Sequence, residues 1–290
     1  MSFSVIEVKY KDKEYSKLLG QIHDPPEQLY CRGNIKLLNT FCFGVVGTRK
    51  LTAYGKEATE KIVSGLAGSG MTIVSGLAMG IDAVAHQTAL DNDLPTIAVL
   101  GSTVDDSGIG PQVNFNLAHE ILKNKGLLIS EYAKRLDVHK SNFAIRDRII
   151  SGLSKGVLVV EGAEKSGSLI TARSAADQNR DVFAVPGSIF NPLARGTNWL
   201  LKQGAKLVTM PSDILEGYGI SNSDHEKRLA KISDPVQKAI LACLDEHGIL
   251  SVDGIISASG SGASEVNIAL AMLEIQGQIL SDGRGKYRRV

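Results

Sequence analysis

The segment 41–80 constrains the fold more than any other part of the chain. Its first stretch, 41–46, is a short apolar run with aromatic and β-branched residues, which predicts a buried strand. That run stops at Gly47-Thr48-Arg49, a helical pattern follows over 54–67, and a second apolar run occupies 71–74. A strand, a glycine turn, a helix and a second strand form a βαβ unit, which predicts a parallel sheet with a right-handed crossover.

The turn Gly47-Thr48-Arg49 falls at the carboxyl end of a strand, where ligands collect in sheets of this kind. Gly47 allows the backbone to turn tightly, and free N–H groups with the Thr48 hydroxyl can hold an anion near the next helix N-terminus. Arg49 adds a planar cationic fork that suits phosphate. A plain strand-to-helix turn with a surface arginine is the commoner fate of such a tripeptide, so the turn alone leaves both alternatives open.

Strands and helices continue to alternate as far as about Leu215. This spacing predicts an α/β fold with a doubly wound, mainly parallel sheet. We place this main domain at 41–215, and we expect 1–40 to be a lead-in that packs on it and carries a possible edge strand at 29–33. The further predicted strands are 95–100, 127–130, 156–160, 182–185 and 205–208, and the further predicted helices are 113–125, 146–153, 168–179 and 198–203.

The composition changes after the main domain. Residues 216–231 are rich in glycine, serine, asparagine and charge, which predicts a linker, and 232–290 then show three short helical patterns and a terminal hairpin. This order predicts a small winged-helix domain. Many such domains bind duplex DNA, and others hold proteins together. The second helix of its helix-turn-helix, 264–276, has no Lys or Arg, which argues against a strong DNA reader, although the wing carries Arg284, Lys286, Arg288 and Arg289.

Several classes of function have no support in the sequence. A net charge of +1 gives no global sign of nucleic acid, so any anion site must be local. The chain has no dinucleotide or ATP phosphate-loop motif, its three cysteines lack metal spacing, and no apolar run could span a bilayer. We therefore expect no cofactor, no metal, no membrane contact and a cytoplasmic location. Asp82 and His86 lie four apart, and we interpret them as a structural pair, since no third ligand matches them.

Two further segments favour anions. Residues 137–145 are predicted as a loop, and the stretch from Lys140 to Arg148 combines cations with Phe143, which is the composition of a single-strand binding site. The alternative, in which Phe143 belongs to the core and the arginines pair with acids, is at least equally favoured by the local sequence. After the fifth strand of the main domain, small residues follow Lys165, and the next helix N-terminus favours an anion.

A series of motifs then appears in a fixed order along 24–215. Together they resemble the bacterial DNA-processing protein A (DprA/Smf) family. The motifs are Gly47-Thr48-Arg49, Ser75-Gly76-Leu77-Ala78-Met79-Gly80-Ile81-Asp82, Thr96-Ile97-Ala98-Val99-Leu100-Gly101, Ser130-Glu131-Tyr132, Phe143 with Arg146 and Arg148, Ser166-Gly167-Ser168-Leu169-Ile170-Thr171-Ala172 and Val182-Phe183-Ala184-Val185-Pro186-Gly187.

The resemblance implies a Rossmann-like fold that binds single-stranded DNA, forms a homodimer and loads the RecA recombinase in natural transformation. Members of the family are not known as enzymes. By position, Thr48 and Arg49 would hold a phosphate, Lys140 would contact the DNA backbone, Phe143 would stack on a base and Arg146 would line the same pocket.

Gly167 and Ser168 would close that pocket, and we include Lys165 among the DNA-binding residues. Ala144 and Asp147 depart from the family pattern, which has proline and asparagine there, so an acid beside the pocket either weakens anion binding or pairs with Arg148.

Two alternative functions remain open. One is a nucleotide phosphoribohydrolase of the lysine-decarboxylase-like group, which the missing glutamate in the turn at 166–172 disfavours. The other is an interaction protein with a decayed DNA pocket.

Overall fold

The computed structural model describes residues 4–133, 140–220, 234–275, 278–283 and 285–289. The chain divides into two compact units, Met1–Asn222 and Ser223–Val290. This division falls inside the predicted linker at 216–231, of which 221–231 lie outside the described residues. The finer boundaries that we predicted from the sequence stay predictions.

The first unit is built on a nine-stranded sheet whose order is β1-β2-β6-β5-β4-β3-β7-β8-β9. The seven strands from β6 to β9 in that order are parallel, so the predicted doubly wound, mainly parallel α/β sheet is confirmed. The strands are β1 (Val5–Lys9), β2 (Gln28–Gly33), β3 (Phe41–Val46), β4 (Met71–Ser75), β5 (Thr96–Leu100), β6 (Leu127–Ser130), β7 (Gly156–Val159), β8 (Asp181–Ala184) and β9 (Lys206–Leu207).

The amino-terminal segment extends this sheet instead of only packing on it. β2 is not at the edge, because it pairs antiparallel with both β1 and β6. Leu29 and Cys31 alternate with more exposed residues and are fully buried, which anchors β2 in the core. The outer strand β1 has only one buried residue, Val8, and we predicted no strand there, although Ile6, Val8 and Tyr10 alternate with Glu7 and Lys9 in this segment.

Helices cover both faces of the sheet. The core on one face joins the amino-terminal segment to α4, α5 and α6, and the core on the other face involves α1, α2, α3 and α7. No helix in the described ranges has the length and apolar character needed to cross a bilayer. The helices are α1 (Ala53–Gly65), α2 (Ile81–Asp91), α3 (Phe115–Lys123), α4 (Lys140–Leu153), α5 (Gly167–Asp177), α6 (Arg195–Lys202) and α7 (Pro211–Glu216).

Helix α4 corrects one prediction. It begins at Lys140, so the loop predicted over 137–145 was wrong for 140–145, and 137–139 lie outside the described residues. The buried face of α4 contains Arg146 and Asp147 as well as Ile150 and Leu153. Charged residues at core positions interrupt the apolar period from which a helix is predicted.

The second unit has the three helices and the small sheet of a winged helix, as predicted. Helices α8 (Pro235–His247), α9 (Val252–Ser259) and α10 (Ala263–Ile275) surround an apolar core, and the strands β10 (Ile249–Ser251), β11 (Ile279–Ser281) and β12 (Lys286–Arg289) pair in the order β10-β12-β11. In the wing, Arg289 forms an ion pair with Asp245 of α8, and Arg284 lies outside the described residues.

Candidate nucleic-acid interface

The site lies where the direction of the sheet reverses. The chain builds outward from β3 to β6, returns through α4, and then builds outward on the other side from β7 to β9. β3 and β7 are therefore neighbours, and the crevice at their carboxyl ends is the place where open α/β sheets bind ligands. The Thr48 N–H donates to the Glu161 carbonyl over 2.8 Å, which joins the turns that follow these two strands.

Gly80 allows the turn after β4 to pack against the turn after β3. Its φ is +82°, and a Cβ at this position would lie 2.2 Å from the Thr48 carbonyl oxygen. The Ile81 N–H donates to that same oxygen over 3.2 Å, at the start of α2. The backbone around Thr48 is thus fixed from two sides, and Arg49 projects from a defined position.

Glu161 is a residue that sequence reasoning assigned no role. Its side chain is almost fully buried, and its carboxylate accepts the Thr52 N–H over 3.0 Å, the Thr52 hydroxyl over 2.7 Å and an Asn191 amide N–H over 3.4 Å. These bonds fix the start of α1 and the loop after β8 to the end of β7. A carboxylate directly after a wholly apolar strand was the only sequence signal for this role.

Arg49 and Phe143 form the centre of the site. The Arg49 guanidinium carbon lies over the Phe143 ring, 4.8 Å from the ring centroid, although one residue follows β3 and the other belongs to α4. Arg49 is exposed and Phe143 is half-buried. The ring packs close to the end of β5, because a Cβ on Gly101 would lie 3.4 Å from it. A cation and an aromatic face are thereby presented together at the carboxyl edge of the sheet.

Arg146 lies beneath this pair rather than on the open surface that we expected it to line. Its side chain is only 4% exposed. The guanidinium donates to the Gly76 carbonyl over 2.6 Å and to the Val99 carbonyl, so it joins the ends of β4 and β5. Gly76 has to lack a side chain, since a Cβ there would lie 2.2 Å from Arg146 Nη1. Arg146 therefore positions Phe143, which precedes it by three residues on α4.

Asp147 pairs with Arg146 and not with Arg148, the partner that the sequence left open. The Arg146 Nε lies 3.1 Å from an Asp147 carboxylate oxygen, whereas Arg148 pairs with Glu131 over 2.7 Å and with Asp24 over 3.0 Å. Burial raises the pKa of Asp147 to about 6, although the neighbouring Arg146 acts in the opposite direction. The acid that departs from the family pattern is consequently inside the protein.

Asp147→Asn is expected to stabilise the protein more at neutral pH than at acid pH. The pKa of Asp147 is about 6 in the folded protein, whereas the ordinary value, which we take for the unfolded chain, is 3.8. The folded state therefore loses stability relative to the unfolded state as the pH rises from about 4 to about 6. The variant lacks that loss. Urea unfolding should therefore show its stability relative to the wild type increasing by about 2 kcal/mol between pH 4.5 and pH 7.5. A difference that does not change with pH would contradict a raised pKa.

The remaining predicted site residues lie at the start of α4 and α5. Lys140 opens α4, and its side chain lies outside the described part of the structure. Lys165 and Gly167 are exposed, whereas Ser168 is buried with its hydroxyl 2.9 Å from that of Ser166. Ser168 packs at the end of β7, because a Cβ on Gly162 would lie 2.8 Å from its Oγ.

Lys165 also borders a cavity of about 500 Å³. Its other lining residues come from α5, from the loop before it and from α6: Glu164, Ser166, Leu169, Ile170, Arg173 and Trp199. The structure thus brings Thr48, Arg49, Phe143 and the buried Arg146 together, and it places the α5 residues beside them at the end of β7.

Asp82 and His86 have separate structural partners instead of forming the pair that we predicted. Asp82 accepts the N–H groups of Gly76 and Ala78 over 3.1 and 3.4 Å, and His86 Nδ1 lies 2.7 Å from the Thr96 hydroxyl. Burial lowers the pKa of His86 to about 3, so this imidazole is neutral at physiological pH. The described residues contain no group of three or more His, Cys, Asp or Glu side chains that could hold a metal ion.

Comparison with known proteins identifies the family of this chain. The family model of DNA recombination-mediator protein A matches residues 7–219. The chain belongs to this family. The DprA winged helix domain matches residues 225–283, so both units of this family member are accounted for.

Named relatives cover most of the chain. Protein Smf of Escherichia coli is 40% identical over 91% of this chain and 72% of its own length, and DNA processing protein DprA of Bacillus subtilis is 43% identical over 72% of this chain and 70% of its own length. Among solved structures, DNA processing protein A of Streptococcus pneumoniae has a TM-score of 0.69 at 40% identity and covers 73% of this chain and 74% of that one.

A second solved relative comes from Helicobacter pylori. DNA processing protein A of that organism has a TM-score of 0.66 at 32% identity, covering 75% of this chain and 96% of that one, and it is described as having a unique single-stranded DNA binding mode. These similarities show the fold and the family of this chain.

Proposed function

We propose that this protein binds single-stranded DNA at the carboxyl edge of its sheet, with little dependence on base sequence. The observation that carries the proposal is the Arg49–Phe143 pair, in which an exposed guanidinium lies 4.8 Å from the centroid of a half-buried ring. Phosphates and bases alternate along a single strand, and proteins bind such strands by combining cations with aromatic rings on which bases stack. The solved relative with a described single-stranded DNA binding mode supports the same ligand.

The proposed roles follow the chemistry of each group. Thr48 and Arg49 hold a phosphate, because the turn offers backbone N–H groups, a hydroxyl and a planar fork. Phe143 stacks on a base. Lys140 opens the helix that carries Phe143 and contacts the DNA backbone, and Lys165 does the same at the start of α5.

Gly167 and Ser168 form the wall at the end of β7. Gly167 is exposed, and a Cβ built on it would have no neighbouring atom within 4 Å. A ligand can therefore approach the backbone of Gly167 closely. Arg146 supports the pocket from below and makes no contact with DNA in this proposal, since its Nη1 is used by two carbonyl groups.

At the level of the cell, we propose that the protein protects incoming single-stranded DNA in the cytoplasm and loads RecA on it during natural transformation and recombination. This part rests on the family resemblance. It requires no chemical step on the DNA, and we propose binding without catalysis. The turn at 166–172 lacks the glutamate that a phosphoribohydrolase would use, and the burial of Asp147 against Arg146 weighs against a pocket that repels phosphate.

The proposed DNA binding is tested by fluorescence anisotropy with a labelled thymidine oligonucleotide and unlabelled duplex as competitor. We expect binding that resists duplex competition and weakens as salt rises, with a log–log slope of about −0.7 for each phosphate neutralised. RecA loading is tested by following RecA filament growth on single-stranded DNA coated with a single-strand binding protein. Absence of any binding at low salt would refute the proposal.

We also propose a homodimer, in which two pockets on one strand gain affinity by avidity. The support is β9, which is the last strand of the sheet among the described residues and carries Leu207, 53% exposed. Edge strands pair readily with another strand. Light scattering should give twice the monomer mass for the wild type, and Leu207→Arg should shift the mass toward one chain. Wild-type protein that remains monomeric at micromolar concentration would contradict the dimer.

A further inference from the structure

The turn after β8 presents two large apolar side chains to water. Ile189 is 78% exposed and Phe190 is 89% exposed. Neither side chain contributes to the core, so the stability of the fold does not account for them. Single exposed apolar residues are common on protein surfaces, but an adjacent pair at a turn tip beside a ligand edge is typical of a binding surface.

The backbone of this turn is held firmly. The Asn191 N–H donates to the Ser188 carbonyl over 2.9 Å, and the Phe190 N–H lies 3.3 Å from the Ser188 hydroxyl. Before the tip, the Tyr54 hydroxyl donates to the Pro186 carbonyl over 2.7 Å. The tip is therefore presented in one arrangement, and binding a ligand on it requires little ordering of the backbone.

Glu161 connects this turn to the turn after β3, which carries Thr48 and Arg49. The Asn191 amide donates to the Glu161 carboxylate over 3.4 Å, and the Glu161 carbonyl accepts the Thr48 N–H over 2.8 Å. In the sheet, β8 is separated from β3 by β7 alone. Phe190 lies in the loop that follows β8, and the ends of β3 and β8 are about two strand spacings, or about 10 Å, apart along the same carboxyl edge.

Exposed cationic side chains lie on either side of these hydrogen bonds through Glu161. Arg49 and Lys50 follow β3, Lys165 follows β7, and Arg195 begins α6 next to Gly196, whose N–H donates to the Gly162 carbonyl at the end of β7. An apolar tip set among cations suits a ligand that carries both anionic groups and flat apolar faces. A polynucleotide strand has this combination, whereas an apolar protein surface lacks the anions.

We propose that Phe190 is a second stacking platform, on which a base of the bound single strand lies several nucleotides away from the base on Phe143. This inference rests on the proposed function. Phe143 packs beside Gly101 at the end of β5, and β5 lies four strand spacings from β8, which is about 19 Å. A strand with the rise of duplex DNA, about 3.4 Å per nucleotide, needs about six nucleotides to cover the distance between these two strand ends.

The test compares wild type with Phe190→Leu and Phe190→Tyr by anisotropy with a labelled ten-nucleotide thymidine strand. Leucine keeps the exposed apolar surface and removes the ring, and tyrosine keeps the ring. Because a stacked base contributes roughly 1–3 kcal/mol, we expect Phe190→Leu to weaken binding about fivefold or more and Phe190→Tyr to bind like the wild type. Ile6→Ala, at an exposed apolar position on β1 near the other edge of the sheet, is the matched control and should change nothing.

A strand of the same length made of abasic nucleotides completes the experiment. On this strand Phe190→Leu should equal the wild type, because no base is present to stack. If both Phe190 variants bind the thymidine strand like the wild type, the second platform is refuted while the proposed function stands. The platform is also refuted if the leucine variant alters only the oligomeric state, which would indicate a protein contact. If the wild type itself does not bind either strand at low salt, the proposed function and this inference fail together.

Discussion

Replacing Arg49 with alanine is expected to weaken binding of single-stranded DNA by about tenfold to a hundredfold. Arg49 is the exposed guanidinium of the site, and hydrogen bonds to charged groups contribute roughly 1.5–3 kcal/mol each. The log–log salt slope should also become less steep by about 0.7, because one phosphate contact is lost. Both quantities come from anisotropy titrations of one labelled oligonucleotide at several salt concentrations.

Two further variants make this result interpretable. Lys61→Ala removes an exposed cation near the carboxyl-terminal end of α1, away from the site, and should leave affinity and salt slope unchanged. Arg49→Lys keeps the charge but loses the planar fork, so its affinity should fall between those of the wild type and Arg49→Ala. An Arg49→Ala protein with wild-type affinity and slope would show that the phosphate is held elsewhere.

The second large effect is on stability. Arg146→Met is expected to lower the free energy of unfolding by about 3–5 kcal/mol, because it leaves the buried Asp147 without its partner and removes the guanidinium that donates to the carbonyls of Gly76 and Val99. Urea unfolding at pH 7.5 measures this change. The exposed Arg173→Met serves as the control, and surface substitutions of that kind stay within about 0.5 kcal/mol.

The double variant Arg146→Met with Asp147→Asn separates the two causes. It removes the unpaired carboxylate, so it should be more stable than Arg146→Met alone. The free energies of unfolding of the wild type, the two single variants and the double variant together give the coupling between the two side chains. If Arg146→Met were as stable as the wild type and had still lost DNA affinity, Arg146 would be a direct contact and not a positioning residue.

Much of the sheet could be predicted because its strands are short apolar runs bounded by glycine and serine. β3 was predicted at its observed limits, and so was β6. The position of Thr48 and Arg49 at the carboxyl edge followed from a rule of topology, since ligands collect at that edge of a parallel sheet. Phe143 was placed in the same pocket only by the family resemblance, because the local sequence favoured a core position at least equally.

Burial of polar groups could not be predicted in the same way. Arg146 and Arg148 look alike in the sequence, yet one joins two strand ends from inside and the other forms a partly exposed ion pair with Glu131. The partner of an arginine depends on which strands α4 crosses, and that is fixed only by the complete sheet. The turn that carries Phe190 escaped prediction for a related reason, because its anchors at Tyr54 and Glu161 are distant in the sequence.

The position of Arg49 over Phe143 makes recognition conditional. With the guanidinium on the ring, the aromatic face is covered by the side chain to which we assign a phosphate. In the proposed function, a nucleobase takes that face only when the guanidinium moves away, and a neighbouring phosphate supplies the attraction for that movement. We therefore expect the site to bind a polynucleotide in preference to an isolated base or inorganic phosphate, each of which offers only one of the two interactions.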